Sequence, residues 1–498
     1  MNALIATLVC ACGIAGLFYL DRDKTVRTSR ALWLPAIWIG SVCSRSVSGW
    51  LGIVGLAPTG ANANVKYEGS PIDAVTFAIL AAIAIGVLIF RSARTRVLLV
   101  SIWPIVLYFL YCLISVSWSY YPDISFKRWI KAIGDLAMVL IIVTDRKPVV
   151  ALSRLVSSVG FVLLPVSVLF IKYFPQLGRG YTPDGGPMNT GVSTDKNMLG
   201  LTLLVLSLCT LWRVMVILRD KDMPDRRRHL YAQGALLGFG IVLFRMAHSS
   251  TSIACFILGG GLILVSNLRS FRNRPARIHA LCFAIIFVGG VAFLLGGVGV
   301  VSHALGRESN LSGRTEIWAA LIPAAPNPVF GAGFEDFWLS PNVQKFLSGM
   351  VGWWHPEDLN EAHNGYLEVF LNLGWIGVAL IATILVTGYR RAVKAHQLNP
   401  QVGGLFLAYI MVSAVYSITE AGFRVLDPMW VFLLLAIVGS SGVTTGLIGR
   451  ESAKVLTSRG GTTRKTPAWN ELPPKGKTVY TARSGLTQSE ITGTSNLR

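Results

Sequence analysis

The chain has 498 residues, of which 53% are hydrophobic and only 14% charged, and its mean hydropathy is +0.56. Soluble proteins carry about 25% charged residues, so this composition excludes a soluble enzyme, a disordered protein and a fibrous repeat, and leaves an integral membrane protein. The formal net charge of +20 would suit a nucleic-acid partner, but most Lys and Arg fall in short segments between apolar runs, a topology signal, and no nucleic-acid partner is expected.

A membrane-spanning helix needs about 20 mostly apolar residues. In chain order the sequence predicts spans near 2–20, 31–54, 72–90, 97–118, 126–144, 149–171, 197–218, 230–247, 250–268, 279–301, 364–388, 402–418 and 428–447. This is an all-α integral membrane protein of 12–13 transmembrane helices. The segment 126–144 opens with Lys127, Arg128, Lys131 and Asp135 at helical spacing, which suggests an amphipathic interfacial turn. Lys131 and Asp135, at i and i+4, are placed to neutralise each other.

Thirty of the 45 Lys and Arg lie in one set of connecting segments, against ten in the opposite set. The richer set is expected to face the cytoplasm, with the C-terminus on that side and the N-terminus outside. The first span lacks a basic n-region and reads as retained, not as a cleaved signal. Residues 1–449 then form one polytopic membrane domain that includes a long external loop at 302–363, with a smaller one at 172–196. Residues 450–498, rich in Gly, Ser, Thr, Pro and Lys, read as a disordered basic cytoplasmic tail. The seven cysteines all lie in apolar runs without CxxC spacing, so neither a disulfide framework nor a zinc site is expected.

The long loop carries the informative residues. It opens with Gly313-Arg314-Thr315-Glu316-Ile317-Trp318 and continues through Pro326-Asn327-Pro328-Val329-Phe330-Gly331-Ala332-Gly333. It closes with Glu361-Ala362-His363-Asn364-Gly365-Tyr366-Leu367-Glu368 and, further on, Leu373-Gly374-Trp375-Ile376-Gly377. Its turn residues and aromatics predict short helices lying on the membrane surface. A neutral imidazole at His363 is placed to take a proton from a hydroxyl; the plainer alternative is a helix-capping histidine. His355, beside Trp353 and Trp354, is a weaker rival. Those two and Trp338 are interfacial anchors or platforms for sugar rings.

Arg314 offers bidentate donors to phosphate oxygens, or else braces the loop against Glu316 or Glu308. Arg179, Lys196, Arg245 and Arg424 are further cations expected near the outer helix ends, with Glu420 as the nearest partner of Arg424. Together they suit an anionic head group, and a lipid-linked pyrophosphate is the obvious one. No Walker A loop or HExxH motif is present; Glu335-Asp336 is a weak hint of a metal site, and no metal or other cofactor is expected.

The order of these motifs, with Asp195-Lys196-Asn197-Met198-Leu199-Gly200 before and Ser417-Ile418-Thr419-Glu420-Ala421 after, resembles the O-antigen ligase/Wzy polymerase superfamily, and most of all ExoQ-type exopolysaccharide polymerisation proteins. The resemblance covers roughly residues 170–440. It implies a GT-C-like, metal-independent glycosyltransferase of the bacterial inner membrane. Such an enzyme takes an undecaprenyl-pyrophosphate-linked glycan at the periplasmic face and needs neither nucleotide sugar nor ATP. It implies His363 as base or activator and Arg314 as pyrophosphate ligand. Where ligases carry a Ser-Arg pair at the outer end of an earlier span, this chain has Ser249-Ser250-Thr251-Ser252, so Arg179, Lys196 or Arg245 is the stand-in. The expected activity is polymerisation of repeat units into exopolysaccharide or O-antigen. The alternatives are an O-antigen ligase acting on lipid A core or another acceptor, a lipid-linked glycan flippase, and a structural partner. Membrane lipids and a chain-length regulator or export complex complete the expected partners.

Overall fold

The computed structural model describes residues 2–23, 26–56, 69–181, 185–272, 274–294, 311–348 and 360–449. Trp353, Trp354, His355, Glu308 and the tail 450–498 lie outside the described residues. The chain divides into a unit Met1–Ser458 and a unit Arg459–Arg498, the latter wholly outside them.

The thirteen apolar segments are largely helical where they are described, but 31–54 is broken at 43–46, 97–118 at Ile102 and 364–388 at Gly374. The helices are α1 (Ala3–Leu20), α2 (Trp33–Val42), α3 (Val47–Ile53), α4 (Pro71–Phe90), α5 (Ser92–Ser101), α6 (Trp103–Ser115), α7 (Pro122–Val143), α8 (Pro148–Tyr173) and α9 (Lys196–Arg219). There follow α10 (Arg226–Ala247), α11 (Ser250–Ser266), α12 (Pro275–Leu294), α13 (Leu311–Leu321), α14 (Pro341–Ser348), α15 (Gly365–Leu398), α16 (Pro400–Tyr416) and α17 (Pro428–Thr444). Among the described residues the sheet content is one short antiparallel hairpin, β1 (Arg179–Tyr181) with β2 (Pro187–Asn189), in which Arg179 faces Asn189.

Among the described residues, six helices, α1, α4, α8, α9, α10 and α15, are long and apolar enough to cross a bilayer. The pair α5–α6 qualifies as a broken span bent by 86°, and α11, α16, α17 and the Pro275–Val288 part of α12 are shorter apolar helices. The chain is an all-α integral membrane protein. Proline at the first turn starts α4, α6, α7, α8, α16 and α17, where its missing N–H costs nothing. Asp195 caps α9 through the N–H groups of Asn197 and Met198, and Asp427 caps α17 through Met429 and Trp430. Helices α9, α16 and α17 form the centre, with Leu203, Leu204, Leu405, Tyr409, Phe432 and Leu434 wholly buried. The α1 and α4 side chains Leu4, Leu8 and Ile89 are largely exposed, as expected where lipid rather than water is the solvent.

Two expectations about α7 and the long loop are now decided. Lys131 and Asp135 do not neutralise each other. Asp135 is wholly buried and accepts from Trp38 Nε1 at 2.8 Å and from Leu426 N–H at 3.0 Å. A buried carboxylate with two fixed donors is better satisfied than one facing a flexible ammonium. The described part of the long loop does fold into short helices, α13, a turn at Phe337–Leu339 and α14. Ile317, Leu321, Phe337, Trp338 and Val343 pack with Leu371 of α15 as a small core of their own.

Candidate active site

The loop is seated on a break in α15. Gly374 has φ +63° and ψ −166°, so the helix stops at Leu373 and restarts at Trp375. A Cβ on Gly374 would lie 2.2 Å from the Val329 backbone, and one on Gly331 would lie 2.3 Å from that of Asn372. This close approach lets loop and helix exchange hydrogen bonds. Ala332 N–H donates to Leu371 O (3.0 Å), Gly333 N–H to Asn372 O (2.8 Å) and Trp375 N–H to Pro328 O (2.9 Å). The Pro-Asn-Pro-Val-Phe-Gly-Ala-Gly run and the Leu-Gly-Trp-Ile-Gly run are therefore two halves of one joint.

A second joint places His363. Asn364 caps α15 by accepting from Tyr366 and Leu367 N–H. One turn on, Glu368 accepts from Trp338 Nε1 (2.6 Å) and from Ala362 N–H (3.0 Å). From the start of the loop, Trp318 Nε1 donates to Ala362 O at 2.7 Å. Ala362 is thus gripped on both its polar groups, and His363 follows it in the left-handed region at φ +47°. Gly365 N–H donates to Ser417 O (2.8 Å) and Glu420 O (3.0 Å), which brings the α16–α17 connection alongside. Trp338 is buried and bonded to Glu368, so it is neither an interfacial anchor nor a sugar platform.

Around His363 the charged groups form a chain. Arg314 of α13 donates from one Nη to Thr419 O and from the other to Glu420 Oε1 at 3.1 Å. Glu420 Oε2 lies 3.8 Å from His363 Nδ1. Glu361 Oε1 lies 2.7 Å from the same Nδ1, off the ring's N–H direction, so the approach is a charge contact rather than a directed hydrogen bond. Glu361 Oε2 accepts from Arg424 Nη1 at 3.2 Å. The order Arg314–Glu420–His363–Glu361–Arg424 alternates in sign. Arg314 pairs with Glu420, and Arg424 pairs with Glu361 and not with Glu420; the Glu316 side chain, like Glu308, lies outside the described residues.

Electrostatics follow from that alternation. Burial would lower the His363 pKa, but Glu361 and Glu420 overcome it and hold it up at about 9. Burial would raise Glu361, but contact with His363 and Arg424 holds it down at about 2. Arg424 is raised above its ordinary value: burial opposes this, and the surrounding Glu368, Glu335, Glu361 and Asp427 prevail. These contacts favour the imidazolium form of His363 at neutral pH. With two guanidinium groups, one imidazolium and two carboxylates, the chain carries a net positive charge.

The ligand atoms of Glu361, His363 and Glu420 lie within 4.8 Å of one another, a spacing that would suit a metal ion. Each carboxylate already faces a guanidinium, which a metal ion would have to displace. Asp336 is not available either, because its two oxygens take Tyr120 N–H (2.5 Å) and Tyr121 N–H (3.1 Å).

Three of the expected cations lie outside this chain of charges. Arg179 is exposed on β1 and donates Nε to Ile171 O at 2.9 Å. Lys196 is the half-buried first residue of α9, and Arg245 is exposed in the last turn of α10. Two site residues had no assigned role in the sequence reading. Glu361 was signalled only by its place two residues before His363. Arg128 of α7 donates to Glu335 O and shares the electrostatic surroundings of Arg424; its signal was a basic residue at the mouth of an apolar segment.

Residues 235–382 match the family model described as O-Antigen ligase. That segment holds Arg314, Glu361 and His363, while Glu420 and Arg424 lie beyond it. The chain is also 26% identical over 294 residues to the exopolysaccharide production protein ExoQ of Rhizobium meliloti (strain 1021), covering 56% of this chain and 62% of that protein. It thus spans less than two thirds of that relative's length. The matched segment and this similarity both support the O-antigen ligase/Wzy polymerase superfamily and, within it, a likeness to ExoQ.

Proposed function

We propose that the protein is a membrane glycosyltransferase that joins undecaprenyl-pyrophosphate-linked oligosaccharide repeat units into an exopolysaccharide or O-antigen at the periplasmic face of the bacterial inner membrane. The observation that carries this reading is the Arg314–Glu420–His363–Glu361–Arg424 chain, a net-positive site held by three separate segments. In the proposed step the bond between the donor sugar's anomeric carbon and the phosphate oxygen breaks, and the acceptor hydroxyl oxygen bonds to that carbon. The pyrophosphate leaves as an anion, and the hydroxyl proton passes to an oxygen of that departing group. Fixed cations aimed at the leaving charge are the largest help such a step can receive, and Arg314, Arg424 and protonated His363 supply them. Arg179 and Arg245, being exposed, are assigned to the glycan rather than to the pyrophosphate. No metal takes part.

The match to a model described as O-Antigen ligase favours a second reading, in which the same site passes a finished glycan to lipid A core or another acceptor. One experiment separates the two. Cells carrying His363→Ala, with membrane levels of the protein checked, should accumulate a single lipid-linked repeat unit if the enzyme is a polymerase. Full-length glycan that stays on its lipid carrier indicates the ligase. Normal polymer at normal protein level would end both readings.

A further inference from the structure

Away from the charged site, an apolar cavity of about 600 Å³ lies between α4, the bent pair α5–α6 and α7. Its walls are hydrocarbon, including Ile85, Leu99, Leu110, Ile133 and Leu136. Trp129, whose Nε1 donates to Phe109 O at 2.9 Å, lines one end. Arg96 of α5, six residues before the 86° break, lines the other. Two neighbouring arginines are already engaged there: Arg91 donates to Ile141 O and Arg94 to Thr144 O and Asp145 O. Arg96 is exposed and, among the described residues, has no polar partner.

We propose that this cavity is a site for one anionic glycerophospholipid, with an acyl chain in the groove and its phosphate on Arg96. Length supports this occupant. From Trp129 to Leu140 along α7 the groove runs about 16 Å at 1.5 Å per residue. That is half of a hydrocarbon core about 30 Å thick, the reach of a chain from a single leaflet. Charge supports it too, because an uncompensated guanidinium at a bilayer surface attracts a headgroup of net negative charge. The polyprenyl tail of a donor bound at His363 is the less suitable occupant. Its head would lie at the Trp129 end, away from Arg96. The proposal rests on the groove and its cation, not on the glycosyltransferase reading.

The full chain, reconstituted in vesicles of equal parts phosphatidylglycerol and phosphatidylcholine and then released into detergent, would be examined by native mass spectrometry for retained lipid. One retained phosphatidylglycerol is expected, enriched about fivefold over phosphatidylcholine, the effect of one surface arginine. Arg96→Gln, an exposed position, should keep one lipid but lose the preference. Leu110→Trp, which narrows the groove, should lose the lipid. Equal retention of both lipids by the unaltered protein, or an unchanged preference in Arg96→Gln, overturns the proposal. So does a retained polyprenyl lipid in place of the phospholipid.

Discussion

His363 Nδ1 lies 2.7 Å from Glu361 Oε1, and the other oxygen of Glu361 takes a hydrogen bond from Arg424 at 3.2 Å. One carboxylate thus holds two cations, one from its own loop and one from the α16–α17 connection. The pairing keeps His363 charged and orients Arg424 with it.

The first prediction concerns pH. The pKa of His363 is raised from its ordinary 6.5 to about 9, so the folded state holds that proton more tightly than the unfolded chain. The resulting stability is fully present below pH 6.5 and is lost as pH rises through about 9. Glu361 is depressed from 4.5 to about 2, so its contribution is present above pH 4.5 and is lost as pH falls through about 2. Thermal unfolding of the detergent-purified protein should therefore weaken on the alkaline side. His363→Gln should flatten that fall; an identical alkaline slope in the variant would contradict the assignment.

Arg314 should be sensitive even to a conservative change. Its two Nη groups reach Thr419 O and Glu420 Oε1 together, a fork that lysine cannot reproduce. Arg314→Lys is expected to lower polymer output by about 100-fold, the usual effect of removing one fixed donor from a developing anion. The check is polymer length and yield at matched membrane levels.

A chelator should leave the reaction unchanged. Glu361 and Glu420 each already face a guanidinium, so a divalent ion would have to displace an arginine to bind. Transfer measured in membranes washed with EDTA is expected to equal the untreated rate, and a loss restored by one particular divalent metal would refute this.

The joint between loop and α15 depends on Gly374. An alanine there would meet the Val329 backbone at 2.2 Å and would occupy φ +63°. Gly374→Ala is expected to cost about 1–3 kcal/mol from the backbone strain alone, read as a lower unfolding temperature. Trp375→Ala, on an exposed side chain one residue later, should change stability much less.

Asp135 and Lys131 should respond oppositely to replacement by alanine. Asp135→Ala strands Trp38 Nε1 and Leu426 N–H inside the bundle, a cost of about 1–3 kcal/mol for each unsatisfied donor. Lys131→Ala should be close to neutral. Similar losses for the two variants would restore the ion pair that their spacing suggested.

Much of this architecture was legible in the amino-acid order. Bilayer thickness imposes a length and a composition on each span, so thirteen apolar segments could be placed; among the described residues six helices and one bent pair are long and apolar enough to cross, and the other segments form shorter, broken or more polar helices. Capping and turn chemistry are equally local: Asp195, Asn364 and Asp427 act on N–H groups two or three residues away. His363 and Arg314 stood out by their place in the long loop, and family likeness added their expected roles. Partner choice was not legible, because it depends on groups far apart in the chain. Arg314 meets Glu420 across 106 residues and Asp135 meets Leu426 across 291, while nearer candidates at helical spacing go unused. The charge on His363 was hidden for the same reason. A histidine's pKa follows from the carboxylates that packing brings to it, and Glu361 and Glu420 converge on that ring only once α15, α16 and the long loop are assembled.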